Sequence, residues 1–185
     1  MSFALAGRDE HVVKAVREAH EQGVIMFAAA SNWGAIEGNR TAFPANIVGH
    51  VVKISSTDGR GSKSRWNPSK SKNNDNFSVV GEAVSSAWPA HLEPRKEQRK
   101  SGTSIATPIA AGIAALVLEF ATQKPQTIPN REILWSYEGM RAIFEKMAWP
   151  KDGFNWVVPW KLFNDKWPTI DISNRITYQL QECVL

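Results

Sequence analysis

A serine and its neighbours at the start of an apolar stretch are the residues whose types and spacing best suit chemistry. Ser104 follows Gly102 and Thr103, and an Ala- and Ile-rich run begins immediately after it. A glycine turn would expose the Ser104 hydroxyl, and the free N–H groups at a helix start could stabilise an oxyanion beside it. Taken alone, the pattern favours a simple helix cap, the ordinary role of Ser and Thr at this position.

Other catalytic and ligand-binding patterns are missing from the sequence. The stretch 59–64 matches neither of the glycine-rich phosphate-binding motifs. Asp58 and Asp75 occur in predicted loops without a cluster of further ligands, and Cys183 is the single cysteine. We therefore expect no metal site, no cofactor and no disulfide. The histidines are scattered and are expected to be structural or solvent-facing: His11, His20, His50 and His91.

The elements that must position Ser104 follow from the apolar pattern. It predicts an amphipathic helix over residues 9–22, buried strands over 24–30, 51–55 and 77–80, and helices over 103–120 and 138–147. The helix over 103–120 carries little charge and is expected to be buried nearly all round. A helix, a tight turn and a buried strand in succession are typical of a parallel α/β sheet. From Trp149 onward, closely spaced Trp and Pro predict an irregular tail.

Two blocks of the sequence resemble the subtilisin-like serine proteases. From Gly102, the pattern G-T-S-x-A-x-P and the small apolar residues after it are similar to the family's nucleophile block. Residues 23–34 resemble the family's strand that ends in A-A-G-N-x-G. The resemblance implies that Ser104 is the nucleophile and that Gly102 and Thr103 shape its turn. It also implies that the side chain of Asn32 and the backbone N–H of Ser104 form an oxyanion hole.

The resemblance further implies a set of substrate-binding positions for a polypeptide. Residues 1–4 look like the family's M-S-[FL]-G strand, which flanks the substrate backbone, although Ala4 replaces the glycine. Ser31 stands where the family usually has glycine, in the pocket for the residue before the scissile bond. The implied substrate-binding residues are Ser2, Ala4, Ala30, Ser31, Gly102 and Thr103.

The partners of the nucleophile are not visible in the sequence. The family's Asp lies in D-[ST]-G and its His in H-G-T, both ahead of the strand that Met1 resembles. Here no His is followed by Gly, and Asp58-Gly59 and Asp152-Gly153 lack the middle residue. Without a base, a serine hydroxyl is a poor nucleophile at neutral pH. We therefore expect the chain to be a C-terminal fragment of the protease domain with negligible activity alone. A non-catalytic peptide-binding remnant is the alternative.

The fold expected from this resemblance is an α/β fold, an incomplete three-layer parallel sheet with flanking helices. The expected division is a C-terminal part of the catalytic domain over residues 1–123, followed by a helical and irregular Trp- and Pro-rich extension over 124–185. That extension looks like subtilase-like domains of filamentous fungi, which are often joined to further domains of intracellular proteins. Location is left open, with a cytoplasmic one favoured by the single cysteine.

Charge offers a third interpretation of the molecule. The net charge of +4 is concentrated in residues 53–100, which hold ten basic and five acidic residues. Such a patch could bind nucleic acid, but its Ser, Asn and Pro content is more typical of solvated loops. The apolar runs are far shorter than the roughly 20 residues needed to span a bilayer. We therefore expect neither a nucleic-acid nor a membrane partner.

Overall fold

The computed structural model describes residues 1–34, 41–71, 75–89, 91–92, 97–123 and 127–183. The helices are α1 (Glu10–Glu21), α2 (Thr103–Thr122), α3 (Tyr137–Met147) and α4 (Thr169–Gln181). The strands are β1 (Met26–Ala29), β2 (Val51–Thr57), β3 (Phe77–Val80), β4 (Val84–Ala87), β5 (Glu97–Lys100), β6 (Ala148–Lys151) and β7 (Phe154–Val157). Short 3₁₀ segments, Arg131–Trp135 and Pro159–Lys161, precede α3 and α4.

A five-stranded sheet in the order β1-β2-β3-β7-β6 forms the centre of the molecule. β1, β2, β3 and β7 run parallel, and β6 pairs antiparallel with β7. Across the sheet, Ala29 lies beside Ile54, and Ile54 lies beside Phe77. β4 and β5 form a separate antiparallel hairpin that leads into α2. The expected α/β fold with a parallel sheet and flanking helices is confirmed.

Alternation along the strands builds two apolar layers, one on each face of the sheet. Ala28 and Val51 face α1, where they join Val13 and Val16. Their neighbours in each strand, Phe27 and Val52, face the opposite side and pack with α2 and α3. There the ring of Phe144 on α3 lies 5.4 Å from that of Phe27 and 5.7 Å from that of Phe77. This burial fixes the strand ends that carry the candidate site.

The main elements lie close to their predicted positions, with differences at their ends. Asp9 caps α1 by accepting hydrogen bonds from the backbone N–H groups of His11 and Val12. β1 is shorter than the predicted 24–30 because Val24 is 49% exposed and precedes the paired residues. β2 extends to Thr57 because its last residues pair with β3.

Helix α2 is not buried nearly all round, which corrects the expectation. Its buried face packs against β1, β2 and β3, whereas Leu116 on the other face is 64% exposed. With a mean hydropathy of 1.8, α2 is long and apolar enough to cross a membrane. Core helices of globular domains pass the same test, and the contacts of α2 with three strands place it in the core.

The segment from Trp149 is also more regular than expected. β6 and β7 form a hairpin whose turn residues, Asp152 and Gly153, both have positive φ, 52° and 81°. An Asp-Gly pair is the usual choice for such a turn, so this signal was present in the sequence. The hairpin joins the main sheet through β7, and α4 follows it. The division of the chain at residue 123 stays a prediction.

Candidate active site

Ser104 lies in the first turn of α2, two residues after a glycine whose backbone conformation is unusual. Gly102 has φ of +145°, a conformation that residues with a Cβ rarely adopt. A Cβ on Gly102 would lie 3.0 Å from Asn32 Nδ2. Its N–H donates to the carbonyl of Gly81 at 2.8 Å, and Gly81 in turn has no room for a side chain. Close approach of β3's end to α2 therefore sets the turn that presents Ser104.

Asn32 follows β1 and meets the same turn through its side chain. Its Oδ1 accepts hydrogen bonds from Thr103 N at 2.8 Å and from Thr103 Oγ1 at 3.1 Å. The backbone N–H of Thr103 is one of the otherwise free donors at the helix start, so Asn32 supplies its cap from 71 residues away. With Oδ1 held in this way, the amide Nδ2 of Asn32 is left without an acceptor among the described residues.

Ser104 itself carries two unpaired polar groups in the described part of the chain, its hydroxyl and its backbone N–H. The residue is half-buried, and the next N–H groups of the helix, from Ile105 and Ala106, already donate to Gly102 O. A hydroxyl, a free N–H and the nearby amide of Asn32 thus meet at the positive end of a helix. Such a group of donors can bind negative charge that develops on an oxygen.

Ser31, the residue before Asn32, lines a pocket. Its hydroxyl accepts a hydrogen bond from Trp33 N at 3.0 Å. The pocket has a volume of about 430 Å³, and Leu5, Trp33 and Phe43 form part of its wall. Sequence reasoning did not include those wall residues in the site. The Ala-Phe-Pro-Ala string at 42–45 was the signal that could have pointed to Phe43.

The remaining predicted substrate-binding residues occupy different positions. Ala30 is fully buried, with its N–H bonded to Ile54 O and its carbonyl bonded to Ala42 N. Ser2 is exposed and lines a separate groove with Thr107 and Pro108 at the start of α2. Ala4 is half-buried and directly precedes Leu5. Gly102 and Thr103, by contrast, lie next to Ser104 and Asn32.

The segment at residues 1–5 runs beside β1 and the 42–45 string. The N–H of Met1 donates to Phe27 O, and Ala29 N donates to Met1 O at 3.1 Å, which is the pattern of a parallel ladder. Leu5 N then bonds to Phe43 O at 2.9 Å. Residues 1–5 are thereby held along the same side of the molecule as the pocket that Ser31 lines.

Two histidines of the described ranges lie together, away from the serine. The rings of His20 and His50 are 4.6 Å apart, and the Tyr137 ring lies 6.3 Å from that of His20. Neither ring is hydrogen-bonded to Ser104 in the part of the chain that the structure describes. That part also contains no group of three or more His, Cys, Asp or Glu able to hold a metal ion.

Comparison with known proteins places this geometry in a family. The model of the subtilase family, peptidase S8, matches residues 1–165. The chain is 31% identical over 164 residues to the subtilisin-like protease het-Q2 of Podospora anserina, covering 80% of this chain and 42% of that protein. It therefore spans less than half the length of this curated relative.

Solved structures show the same fold at low sequence identity. The prenylagaramide maturation protease PagA superposes with a TM-score of 0.69 at 22% identity, over 93% of this chain and 60% of PagA. The S218A mutant of the PatA protease domain superposes with a TM-score of 0.65 at 22% identity, over 87% of this chain and 55% of that one. The PatG macrocyclase in complex with peptide superposes with a TM-score of 0.63 at 20% identity, over 81% of this chain and 42% of that one. From the family match and the fold together, the chain belongs to the subtilase family of peptidases.

Proposed function

We propose that this chain carries the nucleophile and the oxyanion hole of a subtilase-type serine endopeptidase. The observation that carries the proposal is the double hydrogen bond from Thr103 to Asn32 Oδ1. It orients the Asn32 amide so that Nδ2 and the Ser104 N–H are both unpaired donors in the described part of the chain. Donors of this kind, fixed before reaction, stabilise a tetrahedral oxyanion without reorganisation.

In the proposed reaction, Ser104 Oγ attacks the carbonyl carbon of the scissile peptide bond. A histidine takes the serine proton and passes it to the leaving amine, while the oxyanion is held by Asn32 Nδ2 and Ser104 N–H. Water then hydrolyses the acyl-enzyme. Ser31 and its pocket would receive the side chain before the scissile bond, and Ser2 and Ala4 would flank the substrate backbone. The peptide complex of the similar PatG macrocyclase supports a polypeptide as the substrate.

The histidine and its aspartate have no counterpart in the motifs of this sequence, so we propose that the chain alone is inactive. In subtilisin, loss of the catalytic serine or histidine lowers kcat by about 10⁶, and the oxyanion hole and substrate binding leave roughly 10³–10⁴ over water. The alternative is a peptide-binding remnant. It would use the pocket at Ser31 without the chemistry of Ser104.

The proposal can be tested with a fusion protein, called here the joined enzyme. In it, this chain follows the N-terminal half of a subtilase catalytic domain, which supplies the family's Asp and His. Peptide hydrolysis by the joined enzyme is measured beside that of its Ser104→Ala variant. We expect hydrolysis by the joined enzyme and loss of it in the alanine copy. Hydrolysis that survives Ser104→Ala would overturn the role of Ser104. A folded joined enzyme that binds peptide without cleaving it would establish the remnant.

A further inference from the structure

Lys53 is a buried cationic residue that the proposed protease site does not use. It lies near the middle of β2, is 6% exposed, and is followed by Ile54, Ser55 and Ser56, which are fully buried. A lysine is rarely found so deep in a sheet unless it is paired with a carboxylate. The groups that surround its Nζ therefore decide which protonation state the fold favours.

The direct partners of Lys53 Nζ are neutral. Nζ lies 2.9 Å from Ser71 Oγ and 3.1 Å from Asn76 Oδ1. The Asn76 amide has a fixed orientation, since Oδ1 accepts from Ser71 N at 2.8 Å and Nδ2 donates to Ser71 O at 3.1 Å. Both contacts of Nζ are therefore to acceptors. A neutral amine can satisfy them with its two N–H bonds and still keep its lone pair.

The nearest carboxylate is already occupied by other groups. Asp75 Oδ1 accepts from Arg141 Nε at 2.6 Å, and Asp75 Oδ2 accepts from Tyr137 Oη at 2.9 Å. No ion pair to Lys53 occurs among the residues described. Burial lowers the pKa of Lys53 below its usual range, and the charge of Asp75 opposes this in part. Desolvation favours the uncharged amine, whereas the hydrogen bonds that Nζ donates and the charge of Asp75 favour the ammonium form.

A small cavity lies against Lys53. Its volume is about 130 Å³, and Lys53, Ser71 and Asp75 line it on the polar side. The apolar wall of the cavity is formed by Ala45, Val48 and Val51, and the rest of its lining by Thr41 and Asn46. A cavity of this size admits a molecule of a few heavy atoms. Apolar walls beside a desolvated amine are the environment in which lysines act as nucleophiles toward carbonyl compounds.

We propose that Lys53 is a nucleophilic lysine that forms a reversible imine with small aldehydes or ketones entering this cavity. The Nζ lone pair adds to the carbonyl carbon, and a proton passes to the carbonyl oxygen to give a carbinolamine. Loss of that oxygen as water, with the second N–H proton, leaves the C=N bond. Nothing is oxidised or reduced in these steps, and water reverses them. The site is independent of Ser104 and its oxyanion donors.

Reductive trapping tests the proposal on the intact chain. Acetaldehyde and cyanoborohydride are added at neutral pH, so that hydride from the reagent converts any imine into a stable secondary amine. Peptide mass spectrometry then gives the rate at each lysine. Lys14, with a side chain 78% exposed on α1, is the internal control. An ordinary lysine is about one part in 2,500 neutral at pH 7. We expect Lys53 to react about tenfold faster than Lys14, or more.

Three comparisons make the result decisive. The faster reaction of Lys53 should vanish in concentrated urea, where the chain is unfolded. Pyridoxal, which is too large for the cavity, should not react faster with Lys53 than with Lys14 in the folded chain. Lys53→Arg, which keeps a long hydrogen-bond donor but lacks a nucleophilic amine, should remove the Lys53 adduct and leave Lys14 unchanged. A Lys53 rate in the folded wild-type chain equal to or below that of Lys14 would overturn the proposal. That measurement needs no variant to fold.

Discussion

Ser104 and Lys53 are polar groups set against the same parallel sheet, yet their surroundings differ in kind. At the start of α2, the Ser104 hydroxyl, its N–H and the Asn32 Nδ2 have no partner in the described chain. Around Lys53, the buried Nζ lies within hydrogen-bond distance of Ser71 Oγ and Asn76 Oδ1. The first arrangement keeps donors ready for a ligand, whereas the second uses polar groups to hold a loop against the sheet.

This difference separates effects on chemistry from effects on stability. A group without partners can be removed at little cost to the fold, because no buried acceptor or donor loses its contact. Removing one member of a hydrogen-bonded network leaves its partners unsatisfied, which lowers the free energy of unfolding. Substitutions near Ser104 should therefore lower activity with little effect on stability, whereas substitutions near Lys53 should lower stability.

The largest effect is expected from Ser104→Ala in the joined enzyme. By analogy with subtilisin, kcat should fall by about 10⁶, while the free energy of unfolding measured in urea should stay within about 0.5 kcal/mol of the parent. Hydrolysis rates and urea unfolding curves on the same samples measure both. A stability loss as large as that of a core substitution would contradict the view that this serine has no structural role.

Asn32→Asp is a sharper test of the same region. The aspartate keeps an oxygen to accept from Thr103 N and Oγ1, but it loses the Nδ2 donor. Loss of one oxyanion donor lowers kcat by about 10²–10³, and we expect a fall of at least that size in the joined enzyme.

Asn32→Leu is the matched comparison for that variant. It should lose the same catalytic factor and, in addition, about 1 kcal/mol of stability, because the Thr103 N–H loses its cap. Equal stability losses in the two variants would show that the bonds to Oδ1 do not support the turn. Unfolding in urea distinguishes the two outcomes.

In the Lys53 region, Asp75→Asn should act on stability. The change weakens the contacts to Arg141 Nε and Tyr137 Oη, and we expect a loss of about 1–2 kcal/mol in the free energy of unfolding. The control is Glu18→Gln on α1, which removes an exposed pair to Lys14 at 3.7 Å. That change should cost less than about 0.5 kcal/mol. A smaller loss for Asp75→Asn than for the control would contradict the role of the network.

The smallest effect is a dependence of stability on pH. Because the pKa of Lys53 is lowered in the folded state, the unfolded chain binds the extra proton between that pKa and about 10.4. The free energy of unfolding should therefore rise with pH across this window. Tyr137 affects the pH dependence in the opposite direction, because burial and Asp75 raise its pKa in the folded state. Its contribution therefore lowers the free energy of unfolding above about pH 10.

The measurement compares urea unfolding of wild type and Lys53→Met at a series of pH values from neutral to about pH 10. The wild-type slope should exceed that of the variant. Identical slopes would show that Lys53 keeps the same proton affinity in the folded and unfolded chains. Tyr137→Phe serves as a background in which the tyrosine contributes nothing.

The two regions also differ in how far the sequence could predict them. Ser104, Thr103 and Gly102 are neighbours in one string, and Asn32 closely follows a recognisable strand, so local patterns made these residues candidates. The contacts of Lys53 join residues 18 and 23 positions apart, and those of Asp75 reach 62 and 66 positions onward. No local pattern encodes such pairings, since they follow from how α3 and the loop after β2 pack.

Two predictions about packing failed for a related reason. The apolar composition of α2 indicated burial all round, but composition does not say how many neighbours surround a helix, and Leu116 is exposed. The tail appeared irregular because Trp and Pro hide the alternation of short strands. Its Asp152-Gly153 turn was the local signal, and the pairing of β7 with β3 was the part that no local pattern could provide.

That last pairing has a consequence for how the protein is made. Phe77 on β3 lies beside Asn155 on β7, so these two paired residues are 78 positions apart in the chain. At synthesis rates of about 5–20 residues per second, Asn155 emerges roughly 4–16 s after its partner Phe77. During that interval β3 has an open edge beside apolar side chains, the kind of surface on which nascent chains associate. We therefore expect the nascent chain to be most prone to association in the interval between the synthesis of β3 and that of β7.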